Sequence, residues 1–141
     1  MEIRTLRVDE IDAVINLLKI ELGDSVESPA QIRRFLQRDP EISLVALENE
    51  EVVGVCLSGE TAVRGLLHRL VVDRSHRRKG IAAALVNKTL SYFRAIPEIK
   101  MVFVRVYCHN HAIKEFFLKQ GFRLSSRPEG EGVIDAMTYF F

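Results

Sequence analysis

Between Val71 and Ala82 the chain reads Val-Val-Asp-Arg-Ser-His-Arg-Arg-Lys-Gly-Ile-Ala: an apolar strand end, a basic loop and a helix start. That order suits an anion. The first N–H groups of a helix have no partner within it, and the helix dipole adds partial positive charge at the same end. Gly80 lets the backbone approach a phosphate closely, and the small Ala82 leaves room beside it. Arg74, Arg77, Arg78 and Lys79 gather charge around the same point. The residues describe a solvated basic loop before an ordinary helix equally well, and physics alone leaves both readings open. A nucleic-acid patch is disfavoured because no aromatic side chains interleave with the charges.

Two side chains near this segment could move a proton. A base titrating near neutrality is the most useful acceptor at physiological pH, and His68 stands on the strand that leads into the loop. Strict alternation predicts it on the face of Leu66, Leu70 and Val72. It reads either as a proton acceptor or as a histidine on an apolar face, satisfied by a backbone partner or reaching solvent at the strand end. Glu60, near the end of the preceding strand, is the second candidate, acting directly or through water. His109 and His111 read as surface or capping residues. Cys56 and Cys108 make neither a disulfide framework nor a metal-ligand spacing, which predicts a reducing compartment and no metal.

The elements that must position these groups follow from periodicity. Residues 2 to 6 alternate as a first strand. Asp9 can cap a helix carrying Ile11, Val14, Ile15, Leu17 and Leu18 at helical spacing and ending near Gly23. Ser28-Pro29 reads as N-cap and first residue of a second helix that stops before Pro40. Ile42 to Leu47 and Val52 to Leu57 form a hairpin around Glu-Asn-Glu-Glu. Leu66 to Val72 is a strand, 80 to about 95 a helix, and Met101 to Tyr107 a strand apolar enough to be covered on both faces. A last helix over 111 to 120 closes at Gly121, before strands near Phe122 to Ser126 and Val133 to Phe140. The order predicts one α/β domain over residues 1–141, a mixed sheet with helices on its faces.

Composition sets the outer bounds. The chain has 141 residues, 48% of them hydrophobic and 28% charged, and a net charge of +1. The whole-molecule field therefore gives no reason to expect a nucleic acid or membrane as partner. No apolar run reaches the roughly 18 residues of a membrane span. The start, Met-Glu-Ile-Arg-Thr-Leu, is unlike a signal peptide, and a cytoplasmic protein is expected.

With these residues in view, the sequence resembles a known family. Arg77-Arg78-Lys79-Gly80-Ile81-Ala82 is similar to the Arg/Gln-x-x-Gly-x-Gly/Ala signature of the GNAT superfamily of acyl-CoA N-acyltransferases. Leu70-Val71-Val72-Asp73 looks like the strand that precedes it. Asn110 to Phe122 resembles the second signature, Asn-x-x-Ala-x-x-x-Tyr-x-x-x-Gly-Phe, with Asn110, Gly121 and Phe122 matching. The resemblance implies a mostly antiparallel sheet splayed between the strands at 66 to 72 and 101 to 107, with acetyl-CoA entering the cleft.

By the same resemblance, backbone amides from Arg78 to Ala82 would hold the pyrophosphate, with Arg77 in the signature. The edge of Leu70 to Val72 would hydrogen-bond the pantetheine like an added strand. An amide of Val71 or Val72 would polarise the thioester carbonyl, and Asn110 would bond the pantetheine from the other side. His68 occupies the position where arylalkylamine N-acetyltransferases, similar here, carry a catalytic histidine. Phe117, which would border the cofactor, departs from the pattern. Many members carry a Tyr there, thought to protonate the departing thiolate, and Phe cannot; water or Cys108 could substitute. The acceptor would be an amine of a small molecule or peptide, under the connection of the first two helices. Asp24 and Glu27 there, or the loop Glu129-Gly130-Glu131-Gly132, could attract a cationic amine. A homodimer through the C-terminal strands is compatible with the sequence but not specified by it.

Overall fold

A computed structural model describes residues 1–124 and 134–141. Among these residues seven strands form one sheet in the order β1-β2-β3-β4-β5-β7-β6. These are β1 (Glu2–Thr5), β2 (Leu44–Glu48), β3 (Glu51–Glu60), β4 (Arg64–Val72), β5 (Met101–Tyr107), β6 (Arg123–Leu124) and β7 (Ile134–Phe140). All pairings are antiparallel except β4 with β5. Helices α1 (Ile11–Leu22) and α2 (Pro29–Arg38) pack on one face, and α3 (Ile81–Arg94) and α4 (His111–Lys119) on the other. The expected mixed, mostly antiparallel α/β fold is the one observed.

Local chemistry explains the element ends. Ser28 Oγ accepts from the Gln31 amide at 3.2 Å while Gln31 Oε1 accepts from the Ser28 amide at 2.8 Å, a reciprocal cap that starts α2 at Pro29. Asn49 and Glu50 both take positive φ, 48° and 68°, as a tight two-residue hairpin turn between β2 and β3 requires. Asp9 does not cap α1. It lies in a 3-10 turn over Val8–Glu10, and Glu10 accepts instead from the Arg7 amide at 2.9 Å and from Arg4. The last sheet edge is described only at Arg123–Leu124. The loop Glu129-Gly130-Glu131-Gly132 lies outside the described residues.

The parallel pairing of β4 with β5 needs a crossover, and α3 supplies it. Phe93 of α3 is fully buried over the β4–β5 junction, where a Cβ on Gly65 would stand 2.7 Å from its ring. Pairing runs only from Arg64↔Met101 to Leu67↔Val104. Beyond Leu67 the two strands diverge, and among the described residues the rest of β4 is paired only with β3.

Candidate active site

The divergence of β4 from β5 leaves a cleft of about 200 Å³. Its walls include His68, Leu70 and Val71 from β4, Val106 from β5, and Asn110 and Phe117 at α4. Six side chains from three separate stretches of sequence thus meet at one opening. Glu60 does not line it. It borders a neighbouring pocket under α2, with Phe35 and Arg64.

Past Val72 the chain leads from β4 through the basic loop into α3. Gly80 sits at the N-cap with φ 78°, and Arg78 also has a positive φ of 64°. A Cβ at Gly80 would meet nothing within 4 Å, so its left-handed backbone, not crowding, calls for glycine. The first helical bond is Ala84 N–H to Gly80 C=O at 3.0 Å, and no side chain caps the helix. The amides of Ile81, Ala82 and Ala83 therefore face outward with the dipole behind them. The open approach over Gly80 and these uncapped donors fit a diphosphate.

The four basic side chains of the loop divide into two pairs. Glu21, on α1 and only 6% exposed, accepts from Arg77 Nη2 at 2.5 Å, and its other oxygen lies 3.7 Å from Arg74 Nε. Arg77 also donates Nε–H to the Val72 carbonyl at 3.3 Å. These two arginines thus brace the loop against α1 and β4. Arg78 and Lys79 have no carboxylate partner among the described residues. Sequence proximity could not separate bracing charges from free ones, because Glu21 is remote in the chain.

The face of His68 differs from the expected one. Leu57 pairs with Arg69 and Ser58 with Leu67, so β4 carries one extra residue at His68. This β-bulge breaks the alternation. Leu70 and Val72 pack with the α3 side of the sheet, whereas His68 stacks on Phe35 of α2, ring centroids 5.4 Å apart. Of the three expected face-mates only Leu66 shares its side, lining the pocket with Phe35. A signal existed in the sequence: unbroken alternation would place the charged Arg69 beside the core residues Leu67 and Val71.

The bulge also presents His68 and Arg69 to one carboxylate. Glu27 Oε1 lies 2.8 Å from His68 Nε2 and 3.0 Å from Arg69 Nε. Glu27 is therefore turned inward, not offered to a cation in solvent as the loop composition suggested. Its burial pushes the carboxyl pKa upward, but its own amide, Arg69 and His68 outweigh that and hold it below the usual value. Its second oxygen, Oε2, is buried and accepts no hydrogen bond among the described residues. With Nε2–H donating to Glu27, the other ring nitrogen of His68 is the proton-accepting one.

On the opposite wall, Asn110 caps α4, its Oδ1 accepting from the Ile113 amide at 3.2 Å. Its amide N–H groups remain to serve the cleft. Phe117 is 2% exposed and packs edge-on against Phe116 and Phe122, at 5.1 and 5.0 Å. It is a core residue with one face on the cleft. Among the described residues no cluster of side chains could hold a metal ion, and no helix is long and apolar enough to cross a membrane.

Known proteins share this architecture. An acetyltransferase of Pectobacterium atrosepticum is 39% identical over 90 residues, covering 62% of this chain and 64% of that protein. The chain thus matches less than two thirds of that relative's length. Among solved structures, Ard1 from Thermoplasma volcanium superposes with a TM-score of 0.86 at 22% identity, over 99% of this chain and 96% of that one. The PaiA N-acetyltransferase of Thermoplasma acidophilum, in complex with coenzyme A, gives 0.85 at 17% identity, over 99% and 98%. The family model of the GNAT acetyltransferases matches residues 11–122, from the start of α1 through α4 and the cleft between them. With most of its length inside that match, the chain belongs to the GNAT acetyltransferase family.

Proposed function

We propose that the protein is an N-acetyltransferase that moves the acetyl group of acetyl-CoA to a primary amine held beside it in a ternary complex. The observation that carries this reading is the cleft along β4 together with the uncapped, open N-terminus of α3, to which β4 leads through the basic loop. PaiA, of the same fold, was solved with coenzyme A. Acetyl-CoA supplies an activated thioester. The remaining work falls to the chain.

Amides from Arg78 to Ala82 hold the pyrophosphate, with Lys79 and Arg78 adding charge. The unpaired edge of β4 at Leu70 to Val72 holds the pantetheine as an added strand, with the Asn110 amide opposite and Phe117 as apolar wall. The Val72 amide, which the register turns away from β3, donates to the thioester carbonyl as negative charge develops on its oxygen, whereas that of Val71 faces β3. His68, oriented by Glu27, takes the proton of the incoming amine. For an alkylamine, reaching the neutral form near pH 7 costs roughly 4 to 5 kcal/mol without such help. Glu60 stands further off, on the acceptor side.

Phe117 favours one other reading, a CoA-binding module without turnover, because no hydroxyl stands there to protonate a thiolate. Thiols titrate near 8.5, so the thiolate is a fair leaving group unaided. Release of free CoA thiol from acetyl-CoA with a panel of amines separates the two. Amine-dependent release supports the transferase; tight CoA binding without it supports the module.

A further inference from the structure

The acceptor side of the cleft has a chemistry of its own. Between α2, the β3–β4 hairpin and β5 lies a pocket of about 470 Å³. Four arginines line it, Arg34, Arg38, Arg64 and Arg105, against two acids, Asp39 and Glu60. None of the four has a carboxylate within ion-pair distance among the described residues. Arg38 reaches only the Glu60 carbonyl, at 3.5 Å. The guanidinium carbons of Arg64 and Arg105 lie 5.3 and 5.8 Å from the Phe103 ring centroid. Held against the ring, a guanidinium keeps its N–H fork for a planar or tetrahedral anion.

This pocket adjoins the cleft. Arg105 lines both, and Phe35, on the pocket wall, stacks on His68 of the cleft. We propose that the pocket selects an acceptor amine that carries a carboxylate or phosphate at its other end. The proposal rests on the transferase reading and gives it a substrate class. The arginines bind the anionic group, the amine reaches toward His68, and the cationic surroundings disfavour its protonated form. Polyamines and other dications are repelled by the same field. Glu27 does not offset this, because His68 and Arg69 already engage it.

The test compares matched acceptors at saturating acetyl-CoA: 5-aminopentanoate, its amide and 1,5-diaminopentane, then phosphoethanolamine against ethanolamine. At least a tenfold higher kcat/KM for an anionic member is expected, and the pair that shows it tells carboxylate from phosphate. All four arginines are solvent-exposed, so glutamine is tolerated in folding. Arg38→Gln with Arg64→Gln, both outside the cleft, should reduce the preference about tenfold and leave the KM for acetyl-CoA unchanged. Equal or better use of the neutral or dicationic amines overturns the proposal, as does a preference that survives the double substitution. If CoA binds and no amine is acetylated, the transferase reading fails separately. The pocket is then judged by titration with glutarate and phosphoethanolamine. Saturable binding lost in the double variant supports an anion site, and no binding overturns it.

Discussion

Glu27 Oε1 accepts from two neighbouring side chains of β4, His68 Nε2 at 2.8 Å and Arg69 Nε at 3.0 Å. One carboxylate from the α1–α2 connection thereby fixes the ring that faces the cleft. It can do so because the bulge turns both residues to one side of the sheet. On this account His68→Ala lowers kcat by about a hundredfold or more and removes the ascending limb of the pH–rate profile. Glu27→Gln keeps the limb and lowers kcat on the order of tenfold, because the tautomer and the ring orientation loosen. Steady-state rates across pH check both. An ascending limb unchanged in His68→Ala would eliminate it as the base and leave Glu60 as the candidate.

The same carboxylate links stability to pH. Its folded-state pKa lies below its ordinary value of 4.5, so the unfolded chain binds the proton more readily. Its contribution is fully present above that ordinary value and is lost as pH falls through the lowered folded one. Glu27→Gln should therefore be about 1 to 2 kcal/mol less stable than the parent near neutral pH. The gap should narrow on acidification. Urea denaturation of both proteins near neutrality and at about pH 4 measures it.

Two glycines should differ in what their substitution does to CoA binding. In Gly65→Ala the new Cβ meets the Phe93 ring at 2.7 Å, which overpacks the β4–β5 junction and costs about 1 to 3 kcal/mol of stability. In Gly80→Ala the Cβ meets no neighbour, so the stability cost is the left-handed backbone alone, roughly 1 to 2 kcal/mol. CoA affinity should fall in Gly80→Ala, because the methyl group would stand in the open approach proposed for the diphosphate. It should hold in Gly65→Ala wherever the protein is folded. Denaturation and CoA titration on each variant separate the effects.

Phe117→Tyr puts a hydroxyl on the cleft wall. If it reaches the sulfur, kcat rises by about tenfold, less than the usual general-acid gain of roughly 10² or more because the thiolate already leaves unaided, and the KM for acetyl-CoA stays put. A fall in kcat with lowered stability would show that the hydroxyl is buried among Phe116 and Phe122 instead. Initial-rate kinetics with a thermal melt distinguishes these.

Much of this was legible in the residues. The helices announced themselves through period and caps, and Ser28 with Pro29 marked the start of α2 to the residue. The hairpin at Asn49-Glu50 and the basic turn into α3 were visible because their chemistry is local. What escaped was non-local. Glu21 and Glu27 stand far along the chain from Arg77 and His68, and no local pattern pairs them. The bulge depends on register against β3, although Arg69 in an apolar strand hinted at it. The arginine pocket draws on α2, β4 and β5, which only the folded sheet brings together.

The claim on which the rest stands is that the α3 N-terminus grips a diphosphate. Calorimetric titration of CoA into the parent and into Gly80→Asp tests it most directly. Aspartate visits the left-handed region more readily than most residues, so the fold should persist while its charge repels phosphate. Saturable binding by the parent is expected, with at least a thirtyfold loss in Gly80→Asp, about 2 kcal/mol. No saturation by the parent, or equal affinity in the two proteins, would contradict it.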